Sequence, residues 1–301
     1  MSRFAKYAWF VLAWNVLVIL WGAFVRATGS GAGCGSHWPV CNGTVIPTLQ
    51  SIETVIEYVH RVMSGADLFM ILGLLILGLR LYPKSSPVRM GVIGSAVFIL
   101  VESGLGAMLV LLNLVNKNES AFRAAAVAIH LLNTLVLLAF LALTAWWASG
   151  GKAISLKGKN RTALWLGIGL GGVALIGMMG AVTALGDTLF PAQTLAQGLA
   201  QDADANASFL IRLRVIHPII AVLVGIYTLN LAWSIFKRSA NPLAQKLCLA
   251  LGGLVLAQWG AGLLTLLLLA PIWMQMVHLF LADSVWTSYI LLSASVLSME
   301  R

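Results

Sequence analysis

The sequence predicts an all-α integral membrane protein whose eight transmembrane helices form two four-helix bundles related by a pseudo-twofold axis. Three observations lead to this prediction. Of the 301 residues, 60% are hydrophobic and only 10% are charged, and the mean hydropathy is +0.93, so the bilayer is the main solvent. Long uncharged stretches recur along the chain. Short motifs also repeat at an offset of roughly half the chain length.

The spans follow from the lengths of the apolar stretches. A membrane-spanning helix needs about 20 mostly apolar residues, and Tyr7 to Val25 is the first stretch that meets this requirement. The stretch from Leu247 to Ala282 is long enough for two spans, which Ala270-Pro271 divides. The first span lacks a small-residue cleavage pattern after it, so we expect a retained helix rather than a signal peptide. The predicted spans are 7–27, 54–82, 89–114, 122–148, 162–186, 209–236, 243–269 and 272–297.

The charges are distributed asymmetrically between the loops. Basic residues cluster at every second membrane exit, at Arg3 and Lys6, at 80–89, at 152–161 and at 237–246. The alternate loops have a few basic residues at their edges but contain five acidic residues: Glu53, Glu119, Asp187, Asp202 and Asp204. By the positive-inside rule, both termini are cytoplasmic. The net charge of +9 therefore reflects membrane topology and does not indicate a nucleic-acid-binding surface.

An internal repeat divides the chain into an N-terminal half, 1–150, and a C-terminal half, 151–301. A long outside loop follows the first span of each half, at 28–53 and 187–208. Four short motifs recur in the same order, which indicates a parallel duplication. The matched pairs are Gly22-Ala23 with Gly180-Ala181, Tyr58-Val-His60 with Val215-Ile-His217, Glu102-Ser-Gly-Leu-Gly106 with Gln258-Trp-Gly-Ala-Gly262, and Ile129-His-Leu131 with Val277-His-Leu279.

Four of the five histidines begin the second, fourth, sixth and eighth spans: His60, His130, His217 and His278. These spans all run inward from the outside, so with a rise of about 1.5 Å per residue the four imidazoles lie at similar depth. The two histidines of each half can then face each other and ligate one haem iron. A lone histidine in a membrane helix is more often a structural or proton-relay residue. The matched depth and repeat positions favour haem.

Glycines and arginines near these histidines allow two interpretations each. Four glycines on the flanking helices either leave room for a flat ring or serve close helix packing: Gly104, Gly106, Gly260 and Gly262. Five arginines at the outer helix ends either pair with haem propionates or extend to water and lipid phosphate: Arg26, Arg61, Arg123, Arg212 and Arg214. We expect His37, in the first outside loop, to be a surface residue.

Glu57 distinguishes the two halves, because Arg214 stands at the equivalent place. Glu57 precedes His60 by three residues and shares its helix face. A carboxylate beside a haem can relay protons, hold a water or stabilise developing positive charge, whereas an arginine can pair with a propionate; Glu57 is alternatively only solvated. The Glu-x-x-His spacing is also found in di-iron bundles, but Val127, Arg214 and Gln275 precede the other histidines, so that site cannot be assembled.

Cysteines and buried acids complete the candidate residues. Cys34 and Cys41 lie in the first outside loop, where an oxidising compartment is compatible with a disulfide, and we expect Cys248 to be a small apolar packing residue. Three acidic residues within spans have no obvious partner, and we expect the two aspartates to hydrogen-bond within the bundle: Glu102, Asp67 and Asp283.

Together these residues resemble the haem A synthase family. The similarity lies in Gly22-Ala-Phe-Val-Arg-Ala-Thr-Gly-Ser-Gly31, Cys34, Trp38-Pro39, Cys41-Asn-Gly43, Glu57-Tyr-Val-His-Arg61 and the three later histidines. It covers nearly the whole chain. The resemblance implies oxidation of the C8 methyl group of haem O to a formyl group, which gives the haem A of cytochrome oxidases. Two successive hydroxylations would give an alcohol and then a geminal diol that loses water.

The resemblance also implies a role for each site residue. His60 and His130 would hold the iron of the substrate haem O in 1–150, with Glu57 as a catalytic carboxylate, whereas His217 and His278 would hold haem b in 151–301. The cysteine pair matches the bacterial form, with a Cys34–Cys41 disulfide and an inner-membrane location. The expected partners are haem O, haem O synthase, the cytochrome oxidase assembly process and the lipid bilayer. The number of chains in the assembly stays open.

Two other classes of function are compatible with part of this pattern. A quinol-linked di-haem electron carrier would use the same four histidines and leave both haems unmodified, but it has no need of a carboxylate in one half only. A transporter would use the histidines as proton relays and bind no iron. Its polar residues at mid-membrane would be expected to be more numerous than those present.

Overall fold

The computed structural model describes residues 1–48 and 51–298, and this part of the chain contains nine α-helices. Eight of them are long and apolar enough to cross a membrane, so the predicted class of multi-pass helical membrane protein is confirmed. The helices are α1 (Arg3–Ala27), α2 (Ile52–Leu81), α3 (Pro87–Leu111), α4 (Ala121–Ala148), α5 (Asn160–Leu189), α6 (Leu195–Ala203), α7 (Phe209–Arg238), α8 (Pro242–Leu267) and α9 (Ile272–Ser298).

Short polar residues fix where most of these helices begin. A serine hydroxyl accepts a hydrogen bond from a backbone N–H of the first turn at five helix starts, those of α1, α2, α3, α4 and α7. Such caps satisfy donors that the helix itself leaves unpaired. Helices α3 and α8 also carry proline at their first position, where the missing N–H is not needed. The eight long helices begin and end within a few residues of the predicted spans.

Helix α6 was not predicted. It has nine residues and lies in the second long loop, where Thr194 caps it. None of its residues is buried, and its nine residues are fewer than the window over which helical periodicity identifies a helix in a sequence. The loop after α5 is consequently more structured than its composition indicates.

The eight long helices pack in the same cyclic order in both halves. Helix α1 contacts α2 and α4, and α3 contacts α2 and α4; likewise α5 contacts α7 and α9, and α8 contacts α7 and α9. The halves meet through α1 and α4 on one side and α5 and α9 on the other. Across this interface the indole N–H of Trp286 donates to the carbonyl oxygen of Leu135, 2.7 Å away.

Many large apolar side chains point outward. Phe69 is 73% exposed and Leu223 is 62% exposed, which is expected for helices whose outer faces meet lipid tails. Buried leucines and isoleucines fill the interior of the first half, including Ile71, Leu74 and Leu138. Because α2, α4, α7 and α9 run in the same direction, their N-terminal ends and the four histidines share one end of the molecule. We call this end the loop side, since the segments 28–48 and 190–208 lie there.

Candidate functional site

The four histidines predicted as ligands pair within each half of the chain. His60 on α2 lies close enough to His130 on α4 for the two to interact electrostatically, and His217 on α7 interacts likewise with His278 on α9. All four rings are partly buried. Each buried Nδ1 lacks a hydrogen-bond partner among the residues that the structure describes. The rings are therefore not held in place by structural hydrogen bonds on that nitrogen.

Glycines on neighbouring helices make direct room for these rings. A Cβ added at Gly22 would lie 3.0 Å from Cε1 of His60, and one added at Gly180 would lie 3.1 Å from Cε1 of His217. Both distances are shorter than ordinary van der Waals contact between carbon atoms, about 3.5–4.0 Å. The same contact thus occurs at matched places in the two halves, and a larger residue would displace either imidazole.

The four glycines on α3 and α8 behave differently from one another. A Cβ added at Gly262 would lie 3.1 Å from Cε1 of His278, so this glycine serves close packing against a histidine. Cβ atoms added at Gly104, Gly106 and Gly260 would meet no other atom within 4 Å. One of the four positions is therefore packed against a histidine and three adjoin open space; the predicted room for a haem ring stays a prediction.

Polar side chains on α3 and α8 approach the second histidine of each half. Glu102 Oε1 lies 3.6 Å from His130 Nε2, and Gln258 Nε2 lies 3.4 Å from His278 Nε2. Glu102 is also held by Asn133 Nδ2 and Thr134 Oγ1 at 2.5 Å each. Glu102 therefore has partners that the sequence did not reveal, and all of them lie on the helix of His130.

Glu57 is buried and ion-paired, so the alternative that it is only solvated was wrong. Its side chain is 4% exposed. Oε2 accepts a hydrogen bond from the backbone N–H of Cys34 at 2.8 Å, and Oε1 accepts from Arg61 Nη2 at 2.5 Å. Arg61 also donates to the carbonyl oxygens of His37 and Val40. Glu57 and Arg61 together fasten the first loop to the helix that carries His60.

The first loop contains the disulfide that the resemblance implies. Cys34 and Cys41 are bonded to each other and buried. A second attachment lies beside them, where the Thr54 hydroxyl donates to the Gly33 carbonyl oxygen at 2.7 Å. His37 is exposed, as predicted. Cys248, which lies elsewhere in α8, is buried in an apolar cluster, as was also predicted.

Arg214, the predicted counterpart of Glu57, pairs with two carboxylates. Its Nη2 lies 2.5 Å from Asp202 Oδ1 and its Nη1 lies 3.2 Å from Asp187 Oδ1. It also donates to the carbonyl oxygen of Gly198 and the side chain of Gln201 on α6. Arg214 thus connects α5, α6 and α7 on the loop side.

The other arginines that were predicted to pair with haem propionates also contact protein groups. Arg26 connects the two halves, because it donates to the Ala184 carbonyl oxygen at 2.5 Å, to Thr188 Oγ1 at 3.0 Å and to Gln275 Oε1 at 3.1 Å. Arg123 and Arg212 donate to backbone carbonyl oxygens of the preceding loops. These contacts order the loop side; the predicted contacts with propionates stay a prediction.

The two buried aspartates differ. Asp67 Oδ2 accepts from Asn15 Nδ2 at 2.6 Å, which confirms the predicted hydrogen bond within the first half. Asp283 is 2% exposed, and neither carboxylate oxygen has a hydrogen-bond partner among the described residues. The predicted hydrogen bond of Asp283 was therefore wrong.

Fold and site together define a class, a helical membrane protein with a pair of histidines at the loop side of each half. Such a pair, with imidazoles from two different helices, fits bis-histidine ligation of haem. The chain belongs to the cytochrome oxidase assembly protein family, COX15-CtaA, whose profile matches residues 5–290. The family resemblance read from the sequence is confirmed.

Named proteins from several organisms are similar in sequence to nearly all or part of this chain. A Thermus thermophilus protein named Protoheme IX farnesyltransferase is 48% identical over 296 residues, which are 98% of this chain and 49% of that protein. A Heme A synthase of Exiguobacterium is 38% identical over 106 residues, 35% of each chain. A Heme A synthase of Bacillus mycoides is 39% identical over 108 residues, 36% of this chain and 35% of that protein. The chain thus spans about half the length of the Thermus relative.

Proposed function

We propose that this chain is a haem A synthase, which oxidises the C8 methyl group of haem O to a formyl group by two successive hydroxylations. The observation that carries the proposal is the family match over residues 5–290. Relatives named Heme A synthase support it. The paired histidines add physical support, because a protein that binds both a substrate haem and a resident haem needs two ligation sites.

The two halves, 1–150 and 151–301, form two four-helix bundles related by a pseudo-twofold axis. Their identical cyclic order of helix contacts supports this relation. So does the contact of Gly22 with His60, which recurs as that of Gly180 with His217. The first bundle holds haem O through His60 and His130, and the second holds haem b through its own histidine pair.

Differences between the bundles support these proposed roles. The first bundle has two carboxylates near its histidines, Glu57 and Glu102, where the second has Arg214 and Gln258. A carboxylate near the reacting methyl group can relay a proton or stabilise positive charge that develops on the carbon. A haem that only transfers electrons has no such need, so the second bundle fits the resident haem b.

Charged residues beside the histidines give the two proposed haem sites different chemistry. When bound, haem supplies an iron that can carry electrons and take part in oxygen chemistry. Glu57 lies on the helix of His60 and is held by Cys34 and Arg61, which fixes a negative charge beside the substrate. We propose that this charge stabilises the carbon being oxidised. Arg214 already pairs with Asp187 and Asp202. To pair with a propionate of haem b, it would release one of these two carboxylates.

We also propose that the loop side faces the outside of a bacterial inner membrane and that both termini are cytoplasmic. The disulfide supports this orientation because disulfides persist in oxidising compartments. The basic residues at the opposite ends of the helices support it by the positive-inside rule. The name of the Thermus relative denotes farnesyl transfer to protohaem IX, a reaction that would supply haem O to this chain. The product would serve cytochrome oxidase assembly.

The proposal is tested by expressing the chain with a supply of haem O, extracting the haems and separating them by chromatography. Haem A or its alcohol precursor under aerobic conditions is the expected result. Recovery of haem B and unchanged haem O alone would overturn the proposal in favour of a quinol-linked di-haem carrier. Formation of haem O from haem B and farnesyl diphosphate, without a formylated product, would instead assign farnesyl transfer.

A further inference from the structure

A cavity lies between the start of α3 and the C-terminal part of α4, at the end of the molecule opposite the loop side. Its volume is about 760 Å³, and its lining comes from the segment 84–94, from Phe140 on α4 and from Ala153 in the segment after α4. Phe140 follows His130 by ten residues, which is about 15 Å along a helix. The cavity is therefore separate from the histidine pairs.

The lining of this cavity is polar at one end and apolar at the other. Lys84 and Arg89 lie where the chain enters α3. Met90 and Ile93, which are 56% and 47% exposed, continue along the outer face of the same helix, and Phe140 lies beside them. A phospholipid has the same division, with a charged head group at the membrane surface and apolar chains below it. Because α3 leads from the surface into the membrane, the two divisions run in the same order.

The positive charge of Lys84 and Arg89 is not paired with a carboxylate in the part of the chain that the structure describes. Arg89 Nη1 donates to the carbonyl oxygen of Tyr82 at 3.4 Å, and this neutral acceptor leaves the charge uncompensated. No aspartate or glutamate occurs in 68–101 or in 120–186, which include both segments that form the cavity. The cavity therefore suits an anion, and guanidinium and ammonium groups both bind phosphate.

The second half has no matching pair of cations. Helix α8 also begins with a proline, but its third residue is Ala244 where the third residue of α3 is Arg89. Lys237, at the corresponding end of α7, lies over the ring of Trp233 at 5.4 Å, so its charge already has a protein partner. The combination of two unpaired cations and an apolar cavity thus belongs to the first half.

We propose that this cavity binds one anionic phospholipid from the leaflet opposite the loop side. Its phosphate pairs with Lys84 and Arg89, and one acyl chain lies along Met90, Ile93 and Phe140. Basic pockets between transmembrane helices bind lipid head groups by the same combination of charge and position. The lipid joins the start of α3 to α4 and to the segment after it. The inference uses neither the haem sites nor the proposed oxidation.

Native mass spectrometry of the purified protein measures the dissociation constant of its most tightly bound lipid. The protein is titrated with dioleoyl phosphatidylglycerol, dioleoyl phosphatidylcholine and inorganic phosphate at one ionic strength, because interactions between charges depend on salt. We expect phosphatidylglycerol to bind more tightly than phosphatidylcholine, which has the same chains and no net charge. Inorganic phosphate, which lacks the chains, should not displace phosphatidylglycerol at equal concentration.

Variants of the two cations locate this binding. Lys84→Ala and Arg89→Ala should each weaken the binding of phosphatidylglycerol by about fivefold, and the double variant by roughly 30-fold, since one cation near an anionic lipid surface contributes about 1 kcal/mol. Lys84→Glu should weaken binding more than Lys84→Ala. Neither cation belongs to the buried apolar interior of the first half. Lys237→Ala is the matched control at the same end of the second half and should leave binding unchanged.

Four results would overturn the inference. Equal binding of the two lipids would show that the cavity does not recognise charge. Displacement of the lipid by an equal concentration of inorganic phosphate would assign the site to a free anion. Unchanged binding in the double variant, or equal weakening in Lys237→Ala, would place the lipid elsewhere on the basic surface. Extraction of the haems tests the proposed function separately, so the two proposals can fail independently.

Discussion

Replacement of Glu57 by alanine should release the first loop from α2. The change removes the acceptor of the Cys34 N–H at 2.8 Å and of the Arg61 guanidinium at 2.5 Å. Both donors would then lack the carboxylate at a place where the side chain of residue 57 is only 4% exposed. Breaking one side of a buried ion pair costs about 3–5 kcal/mol. Hydrogen bonds from Arg61 to His37 and Val40 would weaken with it, because they share the same guanidinium.

Hydrogen exchange on the purified protein measures this loss directly. A decrease of about 3–5 kcal/mol in the free energy of local opening corresponds to an increase of roughly 10² to 5 × 10³ in the exchange rate of the loop amides. Glu57→Gln, which retains an acceptor, should lose less than Glu57→Ala. Haem b in the second bundle should stay bound in both variants, while formation of haem A stops in Glu57→Ala. Unchanged exchange in the segment 31–42 of Glu57→Ala would refute the reasoning.

Two further predictions concern packing and the disulfide. Gly22→Ala should displace the histidine ring opposite, because the new Cβ would lie 3.0 Å from it, and should lower the haem O content of the first bundle. Gly253→Ala on α8, which meets open space, should leave haem content unchanged, and equal loss in both would contradict the packing argument. Replacing Cys34 and Cys41 together by serine should lower the stability of the first loop by about 2–3 kcal/mol, from loop-closure entropy over a separation of seven residues. Equal proteolysis rates in the first loop with and without the disulfide would contradict this.

The helices could be predicted because their signal is local. Eight apolar stretches of sufficient length, with serine caps and prolines at their starts, define the spans without any tertiary information. Helix α6 could not be predicted in this way, because its nine residues are far fewer than a membrane span requires. The four histidines could also be grouped from the sequence, because they occupy matched positions in the internal repeat. Their similar depth follows from their similar positions in spans that run in the same direction.

The partners of the charged residues could not be predicted, because they depend on how loops fold back. Nothing in the sequence near Glu57 indicates that the backbone N–H of Cys34, 23 residues earlier, is its donor. The contact of Glu102 with His130 joins two helices, α3 and α4, and depends on how they pack against each other. One signal did exist: Glu102 and Gln258 occupy matched places in the repeat, as do the histidines they contact. Asp283 had no such counterpart, and its expected hydrogen bond was wrong.

The central claim is that the first bundle changes a haem and the second retains one. The most direct measurement is the haem composition of two matched variants, His60→Ala and His217→Ala, purified after expression with a supply of haem O. We expect His60→Ala to retain haem B and to contain neither haem O nor haem A. We expect His217→Ala to lose haem B and to retain unconverted haem O. Loss of the same haem in both variants, or loss of haem B only in His60→Ala, would contradict the central claim.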